Sequence, residues 1–139
     1  MNKLWNKITY LGLPKNTIVP DIKKIKLTNQ FTFVSLVFCV FYACFFSIEQ
    51  LAYPTYSTLI ATSAYLFILI LSSFKKFQLA RILFILILYC QVACIALCFG
   101  ESAQVQLLLI SIISLPIVLY NFKQKNIICI LILLGVFVL

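Results

Sequence analysis

Hydrophobic positions along the chain form five long runs, separated by short polar or charged stretches. Apolar and polar residues do not alternate within the runs, and the runs are longer than ordinary strands. The pattern therefore excludes a transmembrane β-barrel and predicts helices. The five runs cover residues 28–48, 56–74, 82–99, 105–122 and 127–139.

The length of each run decides whether it can cross a bilayer. A spanning helix takes about 20 apolar residues (range roughly 17–25), and the first four runs reach this length. Pro116 predicts a kink in the fourth run, because it removes a backbone donor. At about 1.5 Å per residue, the fifth run makes a helix of roughly 20 Å, which is short of a core of about 30 Å. The sequence predicts an all-α, polytopic transmembrane helix bundle with four full spans and a short fifth.

Composition identifies the class of protein. Of the 139 residues, 64% are hydrophobic, 11 are basic and 3 are acidic. A soluble domain needs more polar surface, so we expect an integral membrane protein. A net charge of +8 could indicate nucleic-acid binding. However, the basic residues lie in short clusters at the ends of the runs, which is typical of residues that orient a membrane protein. We therefore expect the chain to bind the lipid bilayer and not nucleic acid. A homodimer is an open alternative, and the sequence does not indicate a ligand.

The basic residues also predict the orientation. If the runs alternate in direction, all 11 fall on one side of the membrane, and the other side holds Glu49 and Glu101. The positive-inside rule then places the N-terminus of this multi-pass protein in the cytoplasm. The residues that determine this topology are Lys23, Lys24, Lys26, Lys75, Lys76, Arg81, Lys123 and Lys125.

Residues 1–27 form a basic cytoplasmic or interfacial segment ahead of the transmembrane domain, residues 28–139. Leu4, Trp5 and Ile8 recur at helical spacing. This spacing predicts a short helix in the headgroup region, with the tryptophan as its anchor. A disordered basic tail is the alternative interpretation.

Two proline-containing stretches mark the ends of helices in this segment. Gly12 and Pro14 predict the end of the first helix. Pro20 and Asp21 are typical of the first turn of a new helix, where proline is tolerated and an acid favours the helix dipole. We expect that helix to continue directly into the first span.

The residues that could perform catalysis are few. The chain has no histidine, and its only acids, Asp21, Glu49 and Glu101, are predicted outside the hydrocarbon. No nucleophile–base pair, pair of carboxylates or phosphate-binding loop can be assembled, so we expect no catalytic residue, no cofactor and no enzymatic activity. The runs also lack the ionisable residues that mark a proton or ion pathway, which argues against a pump or coupled transporter.

Small residues recur at every fourth position in two runs. A row of thiols can bind Cu(I) or zinc, but thiols deep in a membrane are normally protonated, and no histidine or carboxylate joins them. We interpret the rows as helix-packing residues, not as a metal site. They are Cys90, Cys94 and Cys98 in the third run, and Ser35, Cys39, Ala43 and Ser47 in the first.

Polar side chains inside the runs are candidates for hydrogen bonds between helices. Gln91 lies midway along the third run, and Ser111 and Ser114 lie in the fourth. Such bonds contribute about 0.6–2 kcal/mol each. A ligand contact at Gln91 is the alternative.

Several short motifs resemble a known family. Leu11-Gly12, the basic pair Lys23-Lys24 and the stretch Ile25 to Asn29 (Ile-x-Leu-x-Asn) precede the first span, and Leu71-Ser72 and Leu79-Ala80-Arg81 flank the second cytoplasmic connection. With Gly100 and Phe122-Lys123, this layout resembles the N-terminal membrane module of bacterial sensor histidine kinases and class III nucleotide cyclases. Ser72 stands where that module has asparagine, and Lys75 or another turn residue replaces its glycine.

The resemblance implies a six-helix module in a bacterial inner (plasma) membrane, followed by a kinase or cyclase domain. This chain reaches only part of the fifth helix, so we expect it to be a fragment of such a protein. Its expected function is that of a sensory or anchoring membrane module in signal transduction, without activity of its own. The alternative is a small standalone membrane protein, such as a transporter component or an accessory subunit.

Overall fold

Three long helices follow one another along the chain with short connections. A computed structural model describes residues 2–12, 19–99, 112–120 and 125–138. Within these residues there are helices and turns but no strand, so the all-α prediction is confirmed. The helices are α1 (Asn2–Thr9), α2 (Val19–Ile48), α3 (Ala52–Ser73), α4 (Phe77–Phe99), α5 (Leu115–Leu119) and α6 (Lys125–Val138).

Three of the helices are long and apolar enough to cross a bilayer. The spanning parts are Ile22–Ile48 of α2 and the whole of α3 and α4. A helix satisfies all of its central N–H and C=O groups internally, which lipid requires. The chain is therefore a multi-pass membrane protein, as its composition predicts.

The prediction of four full spans is too high for the part of the chain that the structure describes, where three are found. Most of the predicted fourth span, 105–122, lies outside the described residues. Its described part turns at Ser114 before the short helix α5, and Pro116 occupies an early position of that helix, where its missing N–H costs little. The backbone at Tyr120 is extended, so α5 ends there.

Other helix boundaries differ from the hydrophobic runs by several residues. Helix α3 begins at Ala52 instead of 56, and α4 begins at Phe77 instead of 82. The added turn of α4 contains Gln78 and Arg81, which hydropathy excludes but which a helix accommodates. Helix α6 is a shorter apolar helix that starts at Lys125.

The N-terminal predictions are confirmed at the level of secondary structure. Helix α1 is amphipathic and is followed by a turn at Gly12, whose φ is +74°. Helix α2 begins at Val19, with Pro20 in its first turn, and continues without a break through residues 27 and 28 into the first span.

Two tight turns reverse the chain between the long helices. At the end of α3, the Lys75 N–H bonds the Ser72 carbonyl and the Lys76 N–H bonds the Leu71 carbonyl, at 3.1 and 3.2 Å. This is a Schellman arrangement, whose penultimate position is left-handed. Lys75 occupies that position with φ +62°, and Gln50 occupies the equivalent one after α2 with φ +56°. Consecutive long helices are thus antiparallel.

The core lies between α2, α3 and α4, with contributions from α5 and α6. Its largest fully buried side chains include aromatic residues from α3, α4 and the end of α5. Tyr65 of α3 and Phe84 of α4 pack with ring centroids 6.0 Å apart. The outer surfaces of the helices carry large apolar side chains, as expected for surfaces that face lipid.

Candidate functional site

The N-terminal helix lies against one face of α2. The Trp5 ring meets the Phe33 ring edge-on, with centroids 6.2 Å apart. One turn away, the Gln30 Nε2 donates to the Thr9 hydroxyl at 3.4 Å. The Lys26 Nζ lies 3.8 Å from the centroid of the Tyr10 ring, a cation–π contact. Residues 26, 30 and 33 follow helical spacing, so α1 follows a single face of α2.

The turn after α1 brings a backbone carbonyl to the buried side-chain amide of Asn29. The left-handed conformation at Gly12 is one that glycine adopts without steric cost. It places the Leu11 carbonyl 3.3 Å from the Nδ2 of Asn29, which donates to it. Asn29 is only 1% exposed, so this hydrogen bond fixes the N-terminal segment on α2 at a site that excludes water.

The same glycine contacts the connection between α3 and α4. A Cβ added at Gly12 would lie 2.0 Å from the Ser72 carbonyl oxygen and 3.3 Å from Cε1 of Phe77. Two stretches of backbone therefore touch where a side chain has no room. We call the set Leu11, Gly12, Asn29 and Ser72 the basic-end junction, because lysines surround it in the sequence.

The chain around α5 reaches the same end of the bundle. The Lys24 Nζ donates a hydrogen bond to the backbone carbonyl of Tyr120. Tyr120 and Arg81 are both buried, and α5 contacts both α2 and α4. Among the described residues, the Asn29 Oδ1 and the Tyr120 hydroxyl have no hydrogen-bond partner, so the junction retains unused polar capacity in a buried place.

The predicted topology residues that the structure describes have three levels of exposure. Antiparallel helices bring the start of α2 and the α3–α4 turn to one end, while Glu49 lies at the opposite turn. Lys23, Lys75, Lys76 and Lys125 are exposed there, Lys24 and Lys26 are half-buried, and Arg81 is buried. Lys123 and Glu101 lie outside the described residues.

A second polar site lies in the middle of the bundle and joins all three long helices. The Tyr65 hydroxyl of α3 donates to the Gln91 Oε1 of α4 at 2.8 Å. The Gln91 Nε2 in turn donates to the Cys39 Sγ of α2 at 3.0 Å. Tyr65 and Cys39 are fully buried, and Gln91 is half-buried. We call these three residues the Gln91 network.

A groove between α3 and α4 opens beside this network. Its volume is about 390 Å³, and its surface is almost entirely apolar. Small residues of α3, Ala61 and Ala64, give it room, and Gln91 contributes a polar group to its lining. Cys90 and Cys94 of α4 also line it. The groove thus combines hydrocarbon walls with one amide, as small-molecule sites commonly do.

The two predicted rows of small residues have different surroundings. In α2, Cys39 and Ala43 are buried, Ser35 is half-buried and Ser47 is exposed. In α4, Cys90, Cys94 and Cys98 are all exposed. The α4 row therefore does not pack between the described helices, and a packing role for it beyond a single chain stays a prediction. No group of three potential metal ligands lies together among the described residues.

Comparison of the chain with protein-family models, curated proteins and solved structures finds no match. Any role for the two polar sites must therefore be argued from their geometry alone.

The sequence did not single out Tyr65. It lies within an apolar run, and nothing in its neighbourhood distinguishes it from aromatic residues that face lipid. Its pairing with Gln91 depends on how α3 and α4 are rotated against each other. The contact between Gly12 and Ser72 was equally unpredicted, because the two residues are far apart in the sequence.

Proposed function

We propose that this chain is a sensory or anchoring membrane module of a bacterial signalling protein, without catalytic activity of its own, and with its N-terminus in the cytoplasm. The observation that supports the proposal is the basic-end junction. Leu11-Gly12 and Asn29, which belong to separate motifs of the resemblance, meet there with Ser72, which stands where the module has asparagine.

The junction suits a module that must hold its helices in a fixed arrangement on the cytoplasmic side. Contacts there connect the N-terminal segment, α2 and the α3–α4 turn, and Lys24 adds the end of α5. An output domain attached on that side would respond to a change in helix position only if the helix ends were coupled in this way. An anchor without signalling function would need hydrophobic length alone.

The test uses the complete product of the gene that contains this sequence, in membrane vesicles, assayed for autophosphorylation and for cyclase activity. We expect Asn29→Ala to change the basal output at an equal membrane level, because it removes the bond to the Leu11 carbonyl. Ser63→Ala is the matched control, since Ser63 is exposed and bonds only within its own helix, to the Ile60 carbonyl at 2.7 Å.

Two results would contradict the proposal. One is a complete gene product with neither kinase nor cyclase activity, which would favour an accessory membrane protein. The other, an output that is unchanged by Asn29→Ala although the variant loses contact between α1 and α2, would contradict the sensory role and leave only that of an anchor.

A further inference from the structure

The groove between α3 and α4 lies within the membrane-spanning part of the chain. Both helices are long and apolar enough to cross the bilayer, and the groove lies beside Gln91, near the midpoint of α4. Its volume of about 390 Å³ is within the range of small-molecule sites. An occupant can therefore enter from the hydrocarbon phase without crossing water.

The charge of the lining restricts what can bind. The described residues that line the groove include no acidic and no basic side chain. Burying a charge without a counter-charge is very costly, so the lining excludes an ion. Beyond the thiols of Cys90 and Cys94, its polar side chains are Ser57 and Gln91, which are both neutral.

The amide of Gln91 has hydrogen-bonding capacity left. A glutamine side chain offers two N–H donors and an oxygen that can accept twice. One N–H is directed to Cys39 and one acceptor position is taken by Tyr65. These two bonds hold the amide in place, and one N–H and one acceptor position remain. The side chain is half-buried and belongs to the lining of the groove.

We propose that the groove binds a neutral aliphatic molecule from the bilayer that presents a hydroxyl oxygen to Gln91. Its hydrocarbon chain lies along Ala61 and Ala64. The hydroxyl both donates and accepts, which matches the free N–H and the free acceptor position of the amide. This inference stands apart from the signalling role, because binding is measured on the chain itself.

The experiment photolabels the full 139-residue chain in phosphatidylcholine vesicles with an octanol that carries a diazirine. Mass spectrometry locates the adducts, and unlabelled 1-decanol competes. We expect adducts at Ala61, Ala64, Cys90 and Cys94 that fall about tenfold when the competitor is near ten times its Kd. Adducts on the lipid-facing residues Phe38 and Phe41 of α2, which are exposed, serve as the internal control and do not saturate.

Two variants of α3 separate the groove from the general lipid surface. Ala64→Phe fills the groove and is expected to abolish the saturable adducts. Ser63→Phe adds the same ring to the neighbouring, exposed position outside the groove and leaves them unchanged. In α4, Gln91→Leu keeps the volume but removes the amide, and is expected to raise the half-maximal 1-decanol concentration about tenfold.

Three results would overturn the proposal. The first is labelling of the wild-type groove that does not saturate, which decides the matter even if Ala64→Phe fails to fold. The second is unchanged saturable labelling in a folded Ala64→Phe variant. The third is an efficient Cys90–Cys90 disulfide between chains when a variant with Cys90 as its only cysteine is oxidised in vesicles. A second copy of the chain would then cover the groove.

Discussion

Replacement of Gly12 by alanine tests the basic-end junction with the smallest possible change. The added methyl group meets the Ser72 carbonyl oxygen at 2.0 Å and the Ser72 carbonyl carbon at 3.1 Å. Both atoms belong to backbone, which cannot move aside as a flexible side chain can. The turn must therefore separate from the α3–α4 connection by more than an ångström, and Leu11 moves with it.

The magnitude follows from two contributions. A residue other than glycine with φ near +74° costs roughly 1–2 kcal/mol. Moving Leu11 removes the carbonyl that Asn29 contacts, and a buried polar group without its partner costs about 1–3 kcal/mol. The expected loss is about 2–5 kcal/mol for the docked N-terminal segment. The segment can detach before the three long helices separate, so it should respond first.

Trp5 reports on this segment directly, because it is the only tryptophan of the chain and it packs on Phe33. We expect Gly12→Ala to increase quenching of its fluorescence by acrylamide in detergent, and to lower the first transition in a thermal melt. Gly12→Asn tolerates the left-handed backbone but retains a Cβ, so it should behave similarly if the contact with Ser72 dominates.

The control is the same change at the other described glycine. A Cβ at Gly135 would meet Cζ and the hydroxyl of the buried Tyr89 at 2.8 Å, so the change perturbs the contact of α6 with α4 and leaves the contact of α1 with α2 untouched. Trp5 quenching should not change in Gly135→Ala. The junction as described is wrong if Gly12→Ala keeps wild-type Trp5 quenching and thermal stability.

Three further predictions address other parts of the chain. Lys75→Gly removes the strain of a lysine with left-handed backbone and should stabilise the fold by about 0.5–1 kcal/mol, whereas Lys76→Gly should not. Thermal melts compare the two variants, and a lower melting temperature for Lys75→Gly than for the wild type would show that Lys75 is not strained. Tyr65→Phe removes the hydrogen bond to Gln91 and should lower the free energy of unfolding by about 0.6–2 kcal/mol, whereas the same change at the exposed Tyr56 should have no effect. If the two variants are equally stable in reversible unfolding, the hydrogen bond from Tyr65 does not stabilise the fold. In a cysteine-free background, Lys76→Cys should react with an impermeant maleimide only from the cytoplasm and Thr55→Cys only from outside, and the opposite result would reverse the predicted orientation.

Most of the fold followed from local patterns in the sequence. Uninterrupted apolar runs predict spanning helices, and the spacing of Trp5 and Ile8 predicts α1, because both signals depend only on near neighbours along the chain. Hydropathy did not find the first turns of α3 and α4, since a helix can extend past the hydrocarbon into polar surroundings. The four-span prediction overestimated what the described residues contain, because most of the fourth run lies outside them.

The candidate sites were less predictable, because each depends on contacts between segments that are distant in sequence. Gln91 was identified as polar in an apolar run, but its partners were not, since they depend on the rotation of α2 and α3. The cysteines of α4 follow the same every-fourth spacing as the row in α2, yet they are exposed while Cys39 is buried. Spacing identifies a stripe, and only tertiary packing decides whether the stripe faces protein or lipid.

The lipid environment explains why two small polar sites can determine how the helices of this molecule are arranged. Between helices in a bilayer there is little hydrophobic driving force, because lipid chains are as apolar as the side chains that they replace. The large outer residues of α2, such as Phe38 and Phe41, therefore favour no particular partner or rotation. Hydrogen bonds and close backbone contacts do distinguish one arrangement from another, since a buried polar group without a partner is costly. The Gln91 network fixes the three long helices at mid-membrane, and the basic-end junction fixes the N-terminal segment on α2 and the α3–α4 turn. Both sites include α2, through Cys39 and Asn29, and α3, through Tyr65 and Ser72, so these two helices are the common elements to which the other described parts are aligned.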